Sequence, residues 1–202
     1  MQKPALAERL KDKILILDGA MGTMIQQADL SAEDFGGEEL EGCNEMLVVT
    51  RPDVISRIHE QYLEAGADII ETNTFGATSV VLAEYNIAGR ARELNLAAAR
   101  LAVEAANKYS TPEWPRYVAG AMGPTTKTIT VTGGVSFDEL VDSYFEQALA
   151  LIEGGVDALL LETSQDTLNV KAGSIGIRKA FEHSGKTLPI MISGTIEPMG
   201  TT

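Results

Sequence analysis

The sequence has few of the residues that build disulfide frameworks and metal sites, with one cysteine and two histidines among 202 residues. A single cysteine, Cys43, excludes an internal disulfide framework. No apolar run approaches the length needed to cross a bilayer. Residues 1–5 lead into a short amphipathic stretch rather than an apolar signal core. These absences predict a cytoplasmic protein.

Positive charge is also scarce. The chain has 16 Lys and Arg against 29 Asp and Glu, which gives a formal net charge of −13. A chain this acidic repels phosphate backbones and anionic membranes, and its Lys and Arg are scattered rather than clustered. Hydrophobic residues make up 45% and charged residues 22%, as in an ordinary globular domain. We therefore expect a small-molecule partner, and neither nucleic acid nor a membrane.

Apolar, strand-like runs alternate with helical patterns along the chain. The runs that favour strands are 14–17, 67–72, 116–122, 156–162 and 189–193. Thr50 with Asp53, and Ser136 with Glu139, resemble capping boxes that begin two amphipathic helices. Residues 88–108 predict a further helix. Residues 166–182 predict a weaker helix, because two glycines (Gly173 and Gly176) interrupt it.

This alternation indicates an α/β fold with a parallel sheet, since parallel neighbours need a helical crossover. Residues 64–72 and 153–163 repeat one pattern: a helix end, a Gly stop, an Asp and an apolar strand. The repeat favours a (β/α)8 TIM-type barrel, although a doubly wound sheet is not excluded. Eight-stranded barrels usually take about 250 residues. We expect residues 1–202 to be the first five βα units of a barrel domain, with residues 197–202 opening the next loop.

Polar groups follow the predicted strands, where parallel α/β folds build their sites. Asp18-Gly19-Ala20-Met21-Gly22 comes directly after the first strand. Its backbone N–H groups suit a carboxylate and Asp18 suits an ammonium, while the alternative is a tight turn capped by Asp18. Further polar strand ends are Glu71, Asn73 and Thr74, then Gly123 to Thr126, then Glu162 and Thr163. Together they predict a polar pocket for an amino acid.

Other motifs carry less weight. The pattern GxGxxG is absent, and Ser184 to Thr187 resembles the end of a P-loop with Ala180 where the first Gly must be. His59 and His183 fall in helical patterns and are interpreted as structural or solvated. Cys43 has no second Cys and no suitably spaced His. We therefore expect none of these three residues to bind a metal.

Taken together, these segments resemble the homocysteine S-methyltransferase family, and most closely its cobalamin-dependent methionine synthase branch. The segments that carry the resemblance run in order over nearly the whole chain: DGAMGTMIQ (18–26), TRPDVI (50–55), YLEAGADIIETNTFGAT (62–78), RYVAGAMGPT (116–125), SFDELVDSYFEQALALIEGGVD (136–157), LLLETSQDTLNVKA (159–172) and LPIMISGTI (188–196). Relatives that use betaine or S-methylmethionine as methyl donor share the barrel.

The resemblance implies a barrel that binds homocysteine and zinc and transfers a methyl group from methylcobalamin to the thiol, giving methionine. A folate-binding domain and a cobalamin-binding domain of the same parent chain would be the partners. Substrate binding would involve Asp18 and Glu162 at the ammonium, the backbone of Gly19, Ala20 and Met21 at the carboxylate, and Asn73 and Thr74 at the mouth.

The family's zinc ligands are cysteines on later strands, and these residues are absent from the 202 residues. We therefore expect them to lie beyond Thr202. On its own, the chain is expected to bind no stoichiometric zinc or cobalamin and to transfer no methyl group, so that it has no catalytic residue of its own. The alternatives are a non-enzymatic amino-acid-binding module and an unrelated barrel enzyme.

Overall fold

A parallel β-sheet organises the chain. The computed structural model describes residues 3–127, 129 and 134–196. The strands are β1 (Ile69–Glu71), β2 (Tyr117–Met122), β3 (Ala158–Ser164) and β4 (Ile190–Gly194), which pair in sequence order. Every pairing is parallel, so the predicted α/β class is confirmed. The loop expected at residues 197–202 lies outside the described residues.

Long helices connect the strands. The described α-helices are α1 (Leu6–Asp12), α2 (Met21–Gln26), α3 (Ala32–Phe35), α4 (Leu47–Thr50), α5 (Pro52–Ala65), α6 (Ser79–Leu82), α7 (Ala91–Tyr109), α8 (Phe137–Gly154) and α9 (Thr167–Ser184). Short 3-10 turns cover Glu38–Leu40, Asn44–Met46, Ala83–Tyr85 and Ala88–Arg90. Helix α5 leads into β1, and α7, α8 and α9 each cross from one strand to the next. None of the described helices is long and apolar enough to cross a membrane.

The first predicted strand, 14–17, is wrong in extent. Only Leu17 forms a bridge, parallel to Ile69 of β1. The Ile16 carbonyl accepts the N–H groups of Asp68 and Ile69, at 2.8 and 3.0 Å. The Ile16 N–H, however, donates to the Asp68 carboxylate at 2.9 Å instead of to a backbone carbonyl. The Asp68 side chain therefore takes the place of a backbone acceptor, and residues 14–17 do not form a regular strand.

The internal repeat has a structural basis in two aspartates. Asp68 accepts the Ile16 N–H and donates its own N–H to the Ile16 carbonyl. Asp157 makes the same two bonds to Val118, at 2.9 and 2.8 Å. The preceding helices, α5 and α8, both end at a glycine in the left-handed conformation, as the repeat predicts. Each aspartate thus fixes the register of its strand against the previous one.

The two predicted capping boxes have different outcomes. Ser136 and Glu139 form both reciprocal bonds at the start of α8, as predicted. The prediction for Thr50 and Asp53 is wrong, because the Thr50 hydroxyl donates back to the Met46 carbonyl at 3.0 Å. Helix α5 instead begins at Pro52, a residue that needs no N–H partner in the first turn.

Helix α9 is continuous through both of its glycines, so they do not weaken it in the way the sequence suggests. A Cβ on Gly176 would lie 2.8 Å from the Phe145 nitrogen and the Val141 oxygen of α8. A Cβ on Gly173 would lie 2.7 Å from the Leu161 side chain. The glycines therefore let α9 approach α8 and the sheet closely, and tertiary packing outweighs helix propensity.

Apolar side chains fill both faces of the sheet. The outer face packs against α7, α8 and α9 in the largest cluster of buried residues. The inner face forms a smaller cluster, which includes Leu6 of α1: Leu6, Ile69, Tyr117, Ala119, Ala158 and Leu160. Because residues two apart on a strand share a face, the inner face continues from Ile69 to Glu71 and from Leu160 to Glu162. That continuation places two carboxylates at the carboxyl ends of the strands.

Candidate functional site

A cavity of about 190 Å³ opens at the carboxyl ends of β1 and β3. We call it the carboxylate cavity because three of its lining side chains are acidic. Its lining residues are Asp18, Gly19, Ala20, Met21, Gly22, Glu71, Thr72, Asn73, Phe75, Ala121 and Glu162. The sheet therefore gathers residues from four separate segments of sequence around one space.

The loop after Leu17 lines the cavity with residues 18–22. The Asp18 N–H donates to the Ile69 carbonyl at 2.9 Å, and the Glu71 N–H donates to Asp18 Oδ1 at 3.0 Å. Both bonds tie Asp18 to β1. Ala20 has a φ of 47°, in the left-handed region, and α2 begins at the next residue. A left-handed non-glycine residue costs of order 1–3 kcal/mol, and such strain clusters at binding sites.

A bulge orients the acidic side chain on β3. The pairing of β3 with β4 shifts register between Leu161 and Ser164, on either side of Glu162. Thr163 has a φ of 54°, which is rare for a β-branched residue. Bulges change the direction of side chains at the rims of sheets. Ala20, which lines the cavity, and Thr163, next to the lining residue Glu162, thus both have left-handed backbones.

Two hydrogen bonds join the loop after β1 to the 3-10 turn at Asn44–Met46. Asn73 donates its side-chain amide to the Asn44 carbonyl at 2.8 Å, and the Gly76 N–H donates to Glu45 Oε1 at 2.7 Å. The Phe75 ring between these contacts is 44% exposed and lines the cavity. These two bonds therefore hold Asn73 and Phe75 at the cavity wall.

Thr74 is fully buried and does not line the cavity. Its hydroxyl donates to the Ala121 carbonyl at 2.6 Å and lies 2.6 Å from the Thr72 hydroxyl. Its backbone carbonyl accepts an N–H from the buried Gln147 amide at 2.9 Å. The side chain thus joins the loop after β1 to the end of β2, behind the cavity wall.

A second buried network supports the loop after β2. The Tyr144 hydroxyl contacts the Gly123 carbonyl at 2.9 Å and Asn169 Oδ1 at 2.5 Å. The Asn169 amide donates to the Thr125 hydroxyl at 2.9 Å. Gly123 itself donates its N–H to the Phe75 carbonyl at 3.0 Å. Helices α8 and α9 therefore fix the loop on which Phe75 rests.

The carboxylate cavity concentrates three acidic groups whose pKa values are all raised. Burial, followed by the charges of Glu71 and Glu162, raises the pKa of Asp18 to about 8. Burial and the charge of Glu162 raise the pKa of Glu71 to about 7, and burial also raises the pKa of Glu162. Within the described part of the chain, no Lys, Arg or His forms an ion pair with these three groups. A cavity of this kind favours a cationic ligand.

Residues 15–202 match the model of a family described as Homocysteine S-methyltransferase. The chain belongs to this family. It is 45% identical over 196 residues to proteins named methionine synthase from Mycobacterium leprae and Mycobacterium tuberculosis. The alignment covers 97% of the chain but 16% of either relative. The chain therefore spans about a sixth of the length of these methionine synthases.

Solved structures support the same fold. The homocysteine methyltransferase MmuM of Escherichia coli, in its metallated form, superposes with a TM-score of 0.74 at 21% identity. Its oxidized form gives a TM-score of 0.75 at 22% identity. The match covers 95–96% of this chain and 67% of the E. coli chain. The parallel α/β arrangement is thus shared with a methyltransferase of the family.

The described residues do not fit the zinc that the family resemblance implies. In residues 3–127, 129 and 134–196, no three His, Cys, Asp or Glu side chains are grouped to hold a metal ion. Burial, followed by the charge of Glu45, raises the pKa of the Cys43 thiol to about 12, which disfavours the thiolate a metal needs. Burial lowers the pKa of His59 to about 4 within α5, away from the cavity.

The structure brings together most of the predicted site residues of this family member. Those that line the carboxylate cavity are Asp18, Gly19, Ala20, Met21, Asn73 and Glu162, whereas Thr74 lies behind it. Of the other lining residues, Glu71 stands at a predicted strand end without a predicted role, and Thr72, Phe75 and Ala121 were not predicted. The alternation of inward residues along β1 could have identified Glu71, because it lies two residues after Ile69.

Proposed function

We propose that this chain forms the homocysteine-binding part of a methyltransferase that methylates the homocysteine thiol to give methionine. The carboxylate cavity is the single observation that carries the proposal. It combines three half-buried acidic groups with the exposed backbone of the Gly19–Gly22 loop. Such a pairing suits a ligand that has an ammonium and a carboxylate on the same carbon, as an α-amino acid has.

Each site residue that the sequence predicts has a proposed part. Asp18 and Glu162 hold the substrate ammonium through charge-assisted hydrogen bonds. The backbone N–H groups of Gly19, Ala20 and Met21 hold the substrate carboxylate. Asn73 lines the mouth. Thr74 supports the mouth from behind, through its bond to the Ala121 carbonyl.

These contacts orient the substrate. Fixing both charged ends of homocysteine leaves the thiol as its one free end. Holding a reactant in a single orientation removes much of the entropy loss that a bimolecular reaction otherwise requires. The four strands and nine helices described here thus supply binding and orientation.

The complete barrel and its cofactors are a further part of the proposal. The chain is the first part of an eight-stranded barrel, in which later residues complete the sheet and hold a zinc ion. Methylcobalamin on another domain of the parent protein would supply the methyl group, and methyltetrahydrofolate would be its source. The 45% identity to two methionine synthases supports this donor over betaine or S-methylmethionine.

Calorimetric titration of homocysteine into the complete barrel tests the two ammonium contacts. Asp18→Asn and Glu162→Gln each remove a charged acceptor, a loss of roughly 1.5–3 kcal/mol. We expect affinity to fall about 10- to 150-fold in either variant. Asp142→Asn is the matched control, since Asp142 is exposed on α8 and should leave affinity unchanged. Wild-type affinity in a folded Asp18→Asn or Glu162→Gln variant would refute that residue's role.

A further inference from the structure

Glu71 is a third carboxylate in a cavity that needs to hold one ammonium. It is the last residue of β1, and its backbone N–H donates to Asp18 at 3.0 Å. It lines the cavity together with Asp18 and Glu162. The described hydrogen bonds include none to the Glu71 carboxylate, so no structural bond accounts for its position. A role in setting the net charge of the cavity explains why an acidic residue stands at this position.

Three negative charges cannot share so small a space at low cost. The cavity measures about 190 Å³, and no described Lys or Arg reaches it to neutralise the charge. On β2, the inward residues between the acidic strands are Ala119 and Ala121, which offer no hydrogen-bond donor. On α5, burial and the charge of Asp18 raise the pKa of Tyr62, so this phenol offers the cavity no positive charge. The empty cavity therefore retains protons on its carboxylates.

We propose that Glu71 is a positioning residue that keeps the empty cavity protonated and makes binding of the amino acid release a proton. The inference rests on the proposed function, because it requires an ammonium as the ligand. When the substrate ammonium enters, it stabilises the ionised carboxylates. Protons held by Asp18 and Glu71 are released to solvent, while the substrate keeps all of its own. The positive charge of the ammonium thus replaces that of the displaced proton.

The pH dependence follows with a definite sign. In the empty cavity, the pKa of Asp18 is about 8 and that of Glu71 about 7, and a bound cation lowers both. Protons therefore compete with the ligand below these values. Affinity rises with pH from about 5.5 to 8 and levels off once both groups are ionised. Loss of the Glu71 charge lowers the pKa of Asp18, because Glu71 is the second largest cause of its rise.

Methionine is the probe that tests this inference, measured by calorimetry on the complete barrel. It has the same ammonium and carboxylate as homocysteine but no thiol, so thiol ionisation contributes nothing. We expect affinity to rise about ten-fold per pH unit between pH 7 and 8, as for about one released proton, and more steeply below pH 7, where Glu71 also binds a proton. At pH 7 the binding heat should depend on the ionisation enthalpy of the buffer, with about one proton released per methionine.

Two variants separate the positioning role from a structural one. Glu71→Gln should move the rise in affinity to lower pH and remove most of the proton release at pH 7. Glu146→Gln is the matched control, because burial raises the pKa of Glu146 on α8 but the residue lies outside the cavity. It should keep the wild-type profile. Circular dichroism verifies that both variants fold.

The outcomes distinguish this inference from the proposed function. Binding of methionine with affinity independent of pH would overturn the inference and leave the proposed function standing. An unchanged pH profile in a folded Glu71→Gln variant would overturn the role of Glu71. Absence of binding for both methionine and homocysteine at every pH would overturn the proposed function, and the inference with it.

Discussion

Replacing Gly123 with alanine would place a methyl group against the wall of the carboxylate cavity. The added Cβ would lie 2.6 Å from the Phe75 carbonyl oxygen and 2.8 and 2.9 Å from two atoms of the Phe75 ring. The φ of Gly123 is not positive, so alanine fits the backbone and the effect is purely steric. The perturbation therefore acts on one neighbour, which lines the cavity.

The loss of stability depends on which of the clashing Phe75 atoms can move. The half-exposed Phe75 ring can turn away, but its carbonyl oxygen accepts the Gly123 N–H at 3.0 Å. Relief of the carbonyl clash breaks that bond, at about 0.5–1.5 kcal/mol. Overpacking adds about 1–3 kcal/mol. We expect Gly123→Ala to destabilise the protein by about 2–4 kcal/mol and to weaken homocysteine binding, because Phe75 moves.

Urea unfolding and calorimetric titration measure the two effects. Gly89→Ala is the matched control, since a Cβ at Gly89 meets nothing within 4 Å, and it should change stability by less than about 0.5 kcal/mol. The double variant Gly123→Ala/Phe75→Ala removes the ring but keeps the carbonyl, so it should recover less than half of the loss. A Gly123→Ala protein as stable and as tight-binding as wild type would refute the reasoning.

Two further predictions concern the scaffold. Gly176→Ala should destabilise the protein by about 1–2 kcal/mol in urea unfolding, because overpacking against α8 outweighs the gain in helix propensity; a more stable variant would contradict the close α8–α9 contact. Asp68→Asn should cost about 1–3 kcal/mol at pH 7, because Lys13 loses a charged partner at 2.8 Å. The folded-state pKa of Asp68 is lowered, so its contribution is present above pH 4 and is lost as pH falls. Equal destabilisation at pH 3 and pH 7 would contradict this assignment.

The sequence predicts the parallel sheet well, because its signals are local and repeated. Apolar runs identify the four strands, and the Gly-Asp repeat identifies the pair Asp68 and Asp157, whose carboxylates bind the preceding strand segment. The errors arise where tertiary contacts override local preference. Gly176 predicts a weakened helix, yet its missing side chain is what lets α9 approach α8 closely. The apolar segment 14–17 predicts a strand, yet the Ile16 N–H donates to the Asp68 carboxylate instead of to a neighbouring strand's carbonyl.

The candidate site is predicted from sequence only in part. Asp18 and Glu162 stand out as acidic groups at strand ends, and the structure brings both to one cavity. The role of Phe75 depends on its contact with Gly123, 48 residues away in sequence, which no local pattern reveals. The sequence predicts Thr74 at the mouth of the site, yet its hydroxyl donates to the Ala121 carbonyl and does not line the cavity. Long-range partners decide which polar side chains remain free for a ligand.

A crystal structure of the complete barrel with homocysteine bound tests the central claim most directly. The account predicts the substrate nitrogen within hydrogen-bonding distance, about 2.7–3.2 Å, of carboxylate oxygens of both Asp18 and Glu162. It also predicts the substrate carboxylate against the backbone N–H groups of residues 19–21. Homocysteine bound elsewhere, or in this cavity with its ammonium away from both carboxylates, would contradict the account.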